Sequence, residues 1–541
     1  MQKIKKSFSV LFIISSVVLC ISCRSIRQPD SVPEALNYSD EDIVQNEIER
    51  INKFLETEPV RALWRASLLG RQEVIDKCIE NIEVRLDAAV EDKNYLSAKN
   101  YYKSLKAVKP EWKSQKYSYS QLENLAAGDI PGSGKNTKAP AKISDCMKAA
   151  VTVWVDRGVK VKNGAGYADI VIGSGFFIDE RGYIVTNYHV IDSMVNPKYE
   201  GYSRLYIKLS DDNITKIPAK VIGYDSLLDL ALLKVEITPD YVLNLGSSSD
   251  LEIGDKISAI GTPVGLEGTL TSGIVSSFDR KLLALGNVFQ IDAAVNSGNS
   301  GGPLIDSNLK VQAIVFAGLL QLQGLNFAIP VEYLKQELIY LYGRGEIIHP
   351  WIACFGNTKR EAGKKLGLEV QYVLPGGSGF MSGLVAGDVI TSLDGKKITT
   401  LDDFNFLMMA YETETILECK YISAGGEEKQ CLVYLERRPE HPSLTVFDSD
   451  LIPSSFIPLF GMKLIPSSTT NKNSYRIEKI IPGSSADEMS FSENDSVTVN
   501  GVAVDQKSEV IITSLSTKRK KKAFLDVVIN LGASFDSPYY F

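Results

Sequence analysis

The sequence predicts a multi-domain chain: an all-α segment, then an all-β domain, then two copies of one smaller module. Three observations predict it. A chain of 541 residues exceeds what one hydrophobic core organises. The apolar spacing changes past Ala141, from a three-four repeat to short Val/Ile/Leu runs cut by glycine turns. Finally, "VLPGGSGFMSGLVAGDVITSLDGKKI" (Val373 to Ile398) and "IIPGSSADEMSFSENDSVTVNGVAV" (Ile480 to Val504) align Pro375 with Pro482, Asp388 with Asp495 and Gly395 with Gly501, allowing one gap.

The chain opens with Lys3, Lys5 and Lys6, an apolar run from Phe8 to Leu19, and "CISC", which is the order of an export signal over residues 1–23. The run is too short to span a bilayer in the mature protein. "LCISC" resembles a bacterial lipobox with Cys23 as the lipidated residue, although Cys20 stands where an aliphatic or small residue is usual; an ordinary cleaved signal is the alternative. Of seven cysteines, five follow Cys23 at scattered spacings with no C-x-x-C, which argues against a disulfide framework and against a zinc site. Cys419 and Cys431 flank the turn signal "SAGGEE" and are expected to face each other across a hairpin, as a bridge or as two free thiols. A net charge of −7 gives no reason to expect nucleic acid as a partner.

Residues 39–115 read as helical: Val44, Ile48, Ile51, Leu55 and then Ile75, Ile79, Ile82, Leu86 recur at helical spacing, with a start signal at Ser39. "DKNYLSAKNYYKSLKAVKP" places Tyr95, Ala98, Tyr102 and Leu105 on one face. It fits one hairpin of a tetratricopeptide-type array and equally a generic helical bundle. Residues 116–142, rich in Gly, Pro and small residues toward Ala141, read as a linker.

The β domain, residues 143–335, carries the chemistry. In "AAVNSGNSGGPLID" one serine, Ser300, sits among residues that let backbone N–H groups approach a ligand. A serine nucleophile needs a base, an orienting carboxylate and donors for the oxyanion that forms on attack. Of three histidines in the chain, only His189 falls in this domain, in "VTNYHVI". Asp229, in "SLLDLALLKV", would lose hydration among apolar neighbours and so needs a partner, for which His189 is the candidate. Gly298, Asn299 and Ser300 present successive N–H groups as a candidate oxyanion hole. Each signal is modest alone, since a lone histidine is more often structural and a strand-end aspartate often faces water. The order His, Asp, Ser is what joins them.

"GSGFFIDERGYIVTNYHV", "DLALLKV", "AIGTPVGLEGTLTSGIVSS", "DAAVNSGNSGGPL" and "LNFAIP" together resemble the HtrA (DegP/DegS-like) family of trypsin-fold serine proteases, over roughly Cys146 to Val504. The resemblance implies a trypsin-like double six-stranded β-barrel with His189, Asp229 and Ser300 as triad. It also implies an oligomer, commonly a trimer, in which loop rearrangement around Gly298 orders the oxyanion hole. Asn299 replaces the aspartate that digestive relatives pair with a cut N-terminus, so activation by propeptide cleavage is not expected. The pocket wall, "VQAIVFAGLLQLQGLNFAI", has no charged residue, which predicts cleavage after small or medium aliphatic residues.

The resemblance makes the repeats PDZ-like α+β modules, residues 345–438 and a divergent 453–536. In the first, "PWIACFG" is the expected peptide-binding loop, with Trp351, Ile352, Ala353 and Cys354 as contacts, and the helix from Thr400 through Met409 as the other wall. Family members usually carry glycine where Ala353 stands. In the second, Asn494 replaces Gly387 and the tail "SFDSPYYF" has no family counterpart, so this module is expected to dock to a neighbour rather than bind ligand. The run Lys518 to Lys522 reads as a solvated hairpin tip, with contact to anionic lipid as the alternative. The implied function is a cofactor-free, metal-free serine endopeptidase on the periplasmic side of a bacterial envelope. Its expected partners are unfolded or misfolded proteins, C-terminal peptides at the first module, a membrane through the lipid anchor and further copies of itself. Two rivals stand beside it: a protein-binding quality-control factor with an idle protease domain, and a signalling protease with one substrate.

Overall fold

The computed structural model describes residues 29, 32–33, 38 and 40–541, except 133–136, 213, 263–267, 297, 319–324, 470–471 and 521–523. The expected export signal, Cys23 and the Ser39 start signal lie outside the described residues. None of the described helices is long and apolar enough to cross a membrane. The chain forms two compact units, one from Met1–Tyr119 with His349–Phe541 and one from Ser120–Ile348.

The first unit begins with α1 (Glu41–Thr57), α2 (Pro59–Leu69), α3 (Gln72–Glu91) and α4 (Tyr95–Val108). Asp40 caps α1 by accepting from the Asp42 N–H at 3.0 Å. The periodic residues Ile51, Leu55, Ile79, Ile82, Leu86, Ala98 and Leu105 are buried. Helix α2 is buried on most of its surface, and even its Arg65 is enclosed, paired through Nη2 with Glu47 of α1 at 2.8 Å.

The second unit opens with α5 (Tyr119–Ala127), a helix inside the stretch expected as linker, which Leu122 anchors by complete burial, and α6 (Ile143–Ala149). Then come β1 (Ala150–Lys162), β2 (Ala165–Asp179), β3 (Tyr183–Thr186), α7 (Tyr188–Val195), β4 (Arg204–Leu209), β5 (Ile217–Pro218), β6 (Lys220–Asp225) and β7 (Leu230–Lys234). They form a seven-stranded sheet in the order β5-β4-β1-β2-β3-β7-β6. Strands β8 (Lys256–Gly261), β9 (Thr269–Arg280), β10 (Val288–Ile291), β11 (Pro303–Ile305), β12 (Val311–Gly318) and β13 (Asn326–Pro330) close a six-stranded barrel, after which α8 (Val331–Gly343) follows. Where the resemblance implied two six-stranded barrels, one ring of six is closed. The other sheet is a path of seven, because β5 is only two residues long and forms no ladder with β6 among the described residues.

The first unit resumes with β14 (Pro350–Trp351), β15 (Cys354–Glu361), β16 (Lys364–Val373), α9 (Ser378–Met381), β17 (Val389–Leu393), β18 (Lys396–Lys397), α10 (Leu401–Met408), β19 (Ile416–Ile422), β20 (Glu428–Tyr434) and β21 (Glu436–Arg437). The main sheet runs β15-β16-β17-β19-β20. Thr400 and Asp403 close a capping box on α10, and Met408 and Met409 are buried as core residues. Cys419 stands opposite Cys431 across β19 and β20, and both are free thiols. The N-terminal helices lie on this module: Trp64 of α2 stacks on Tyr434 and donates to the Leu432 carbonyl at 2.9 Å. Lys103 of α4 pairs with Asp394 at 2.6 Å, and Ser104 accepts from the Ile416 N–H at 3.1 Å.

The second module has α11 (Pro442–Ser449), α12 (Ile452–Phe460), β22 (Met462–Pro466), β23 (Ser474–Ile480), α13 (Ser485–Glu488), β24 (Ser496–Asp505), β25 (Val510–Lys520) and β26 (Phe524–Ser534), its strands paired in chain order. The run Lys518 to Lys522 lies at the end of β25, with its last two residues outside the described ones. The repeated turn is the same object in both copies. Gly387 N–H donates to the Val370 carbonyl and Asn494 N–H to the Ile477 carbonyl, both at 2.8 Å. Gly387 has φ +102° and Asn494 φ +71°, a left-handed position that asparagine tolerates better than most residues.

Candidate active site

His189, Asp229 and Ser300 all belong to the unit Ser120–Ile348. His189 lies in the first turn of α7, entered directly from β3 through the extended residue Asn187. Asp229 closes the turn between β6 and β7. Asp225 shapes that turn by accepting from the Leu227 and Leu228 N–H groups at 2.8 and 3.0 Å. Asp229 takes φ +56°, a left-handed conformation that short polar residues adopt at a cost of roughly 1 kcal/mol. The surroundings hold it there, since its carbonyl accepts from the Tyr188 N–H (3.2 Å) and from Asn187 Nδ2 (2.9 Å).

Both carboxylate oxygens of Asp229 serve one residue. Oδ2 lies 2.7 Å from His189 Nδ1, and Oδ1 accepts the His189 backbone N–H, also at 2.7 Å. The Asp229 side chain is 9% exposed and that of His189 26%. With Nδ1–H donated to the carboxylate, Nε2 keeps its lone pair, the state a general base requires.

Ser300 sits between β10 and β11 in a loop tied to the first sheet by Ser174. Ser174 N–H donates to the Ser300 carbonyl at 2.8 Å, and Ser174 Oγ donates to the Gly298 carbonyl at 2.6 Å while accepting from the Thr262 N–H at 2.9 Å. Gly301, at φ +86°, has no room for a side chain: a Cβ would lie 2.2 Å from the Ser174 carbonyl oxygen and 2.4 Å from Thr186 Oγ1. The Ser300 hydroxyl donates to the Phe316 carbonyl at 3.3 Å. The Asn299 N–H is committed to the Asn296 carbonyl at 3.0 Å, because it closes the turn that bends the loop. Of three expected oxyanion donors, Gly298 and Ser300 are therefore left. Of the expected pocket wall, residues 319–324 lie outside the described ones, and the flanking Val315, Phe316 and Phe327 are buried.

Residues 173–314 match the family described as "Trypsin-like peptidase domain", 443–535 match "TP0546 family PDZ domain", and 42–126 match "Domain of unknown function (DUF8517)". A "Probable periplasmic serine endoprotease DegP-like" of Pseudomonas fulva is 34% identical over 269 residues, 48% of this chain and 54% of that protein. A protein of the same description from Bartonella henselae is 37% identical over 290 residues, 51% and 55% of the two chains. These matches support an HtrA/DegP family assignment. It spans about half the length of the curated relatives it matches. A solved "HtrA-type protease AlgW with decapeptide" overlaps 55% of this chain and 98% of its own at 23% identity and a TM-score of 0.47.

The HtrA-type loop expected for peptide capture occupies the turn between β14 and β15. Trp351, Ile352, Ala353 and Cys354 are all buried as side chains, so any contact they offer is through the backbone. Ala353, at the usual glycine position, takes φ +60°. Its carbonyl accepts from the Leu374 N–H at 2.9 Å, and that of Ile352 from the Gly379 N–H at 2.8 Å. Sequence reasoning missed Ser174. Its signal was a small polar residue between glycines in an otherwise apolar strand, "GSGFF".

Proposed function

We propose that this chain is a serine endopeptidase of the bacterial envelope, acting in the periplasm on unfolded or misfolded exported proteins. In this reading its HtrA-type unit is a two-barrel trypsin-like domain, the two modules are both PDZ domains, the first binds C-terminal peptides, and copies assemble as trimers or larger oligomers. Cys23, if lipidated, would anchor it to a membrane. Ser300 Oγ attacks the scissile carbonyl while His189 Nε2 takes its proton, Asp229 holds the imidazolium, and the Gly298 and Ser300 N–H groups stabilise the oxyanion. His189 gives that proton to the amine that leaves as the C–N bond breaks; in deacylation it takes a proton from the attacking water and returns it to Ser300 Oγ as the acid departs, and no metal or organic cofactor takes part.

The observation that carries this reading is the two-point hold of Asp229 on His189 in the unit that contains Ser300. Incubation with an unfolded protein, followed by mass spectrometry, tests it. The parent should produce many fragments ending in small or medium aliphatic residues, and Ser300→Ala should produce none, a loss of at least ~10³-fold. Fragments ending mainly in Lys or Arg would refute the uncharged pocket. The Ser300 hydroxyl on the Phe316 carbonyl favours a second reading, a protein-binding factor whose protease rests idle. Binding of unfolded protein by both forms, with cleavage by neither, would select it.

A further inference from the structure

The outer edge of β15 is occupied by the chain's own last described residues. Cys354 N–H donates to the Phe541 oxygen at 2.9 Å, Phe541 N–H donates to the Cys354 carbonyl at 3.0 Å, and Gly356 N–H donates to the Tyr539 carbonyl at 3.0 Å. Phe355 and Tyr540 are the antiparallel partners. Strand alternation then sends neighbouring side chains to opposite faces. Phe541 is 3% exposed and packs among Ile352, Cys354, Leu401 and Phe404, its ring edge-on to Phe404 of α10 with centroids 5.0 Å apart. Tyr540 goes the other way, into the core of the second module, with its hydroxyl 3.1 Å from Ser443 Oγ.

The segment is held at its base by a clasp. Arg438, with a side chain 1% exposed, makes a bidentate pair with Asp536 at 2.6 and 2.8 Å. Pro538, with no N–H to give, follows, and then three residues pair with β15. A three-residue segment, held to β15 by three backbone hydrogen bonds around one antiparallel bridge and delivering one aromatic ring between a strand and a helix, has the geometry of a peptide added to a sheet edge.

We infer that Tyr539–Phe541 is the resting occupant of the peptide groove between β15 and α10, with the Phe541 ring in the place of a peptide's aromatic residue, so that the chain's own tail occludes this site. A peptide supplied in trans competes with the chain's own tail for the Cys354 and Gly356 N–H groups. This rests on the reading of the first module as a peptide-binding PDZ domain, and it is separable from catalysis because its test uses the Ser300→Ala chain.

The test titrates fluorescein-labelled Asp-Ser-Pro-Tyr-Tyr-Phe into the Ser300→Ala chain, with and without residues 539–541, and follows anisotropy. The shortened chain should bind at least tenfold more tightly, and a peptide with aspartate in the last place should not bind. Equal affinity for both chains, or no binding by a shortened chain with native circular dichroism, overturns the inference. Hydrogen exchange on the full-length Ser300→Ala chain decides the matter if the shortened one fails to fold. Millimolar peptide should speed exchange at the Phe541 amide while the Cys354 and Gly356 amides stay protected, and an unchanged Phe541 rate would overturn it.

Discussion

The two repeated modules share a turn and differ in what surrounds it. In the first, the chain leaves β18, forms α10 and returns as β19, so that a helix flanks the sheet edge at β15. In the second, β24 passes into β25 with no helix between them, and the two long strands β25 and β26 take its place. A peptide groove needs both a strand edge and a wall beside it. The first copy has both, whereas the second lacks the wall and supplies, just beyond β26, the segment that fills its sibling's groove. In the proposed pairing the first module is thus the receiver and the second the donor of Tyr539–Phe541.

The strongest way to break this pairing is at the clasp. Asp536→Ala would strand the buried Arg438 guanidinium, and the unit holding both modules should lose about 3–5 kcal/mol in urea denaturation. Arg438→Ala should cost less, because the Asp536 carboxylate it leaves behind is 22% exposed. A smaller cost for Asp536→Ala than for Arg438→Ala would contradict the proposed link between the modules.

A second prediction concerns pH. Burial pushes the Glu436 carboxyl up from 4.5 to about 7, with Arg61 opposing the shift. The folded form therefore holds a proton that the unfolded form has released between those values, and stability falls as pH rises through that window. Acidification from pH 7.5 to 5.5 should stabilise this unit by about 1–2 kcal/mol, and Glu436→Gln should flatten the profile. A parent profile already flat over that range would remove Glu436 from consideration.

The shared turn offers a finer comparison. Gly387→Ala should cost about 1–2 kcal/mol, since a Cβ at φ +102° would also lie 3.0 Å from the Ala424 Cβ. Asn494→Gly, at the matching position, should stay within about 0.5 kcal/mol of the parent, less the Arg476 contact it gives up. With the opposite sign, Ala353→Gly should stabilise by at most about 1 kcal/mol, because relief of the left-handed alanine is offset by a freer unfolded chain.

What was legible in the sequence was what residue type alone constrains. Histidine is so scarce that His189 stood out, Asp229 was conspicuous among leucines, and Pro375, Asp388 and Gly395 recurred at matched spacing. Contacts between distant segments were not legible. The amphipathic pattern of α2 and α4 marks a face to be covered, but nothing in it names Tyr434 or Asp394 as the cover. Tyr539–Phe541 is too short for any period to show. The Asn299 N–H looked available because sequence cannot reveal that Asn296 closes the turn beneath it, and Leu122 alone could not announce a helix inside a stretch of linker composition.

Trp64, described above as a contact between α2 and β20, has a further consequence. The sheet β15-β16-β17-β19-β20 has two rims; α2 lies against β20 at one, and Tyr539–Phe541 pairs with the other. Bare rims recruit strands from other molecules and seed aggregates. The first module is thus shielded at both rims by segments distant in sequence, and cut out alone it would be expected to self-associate.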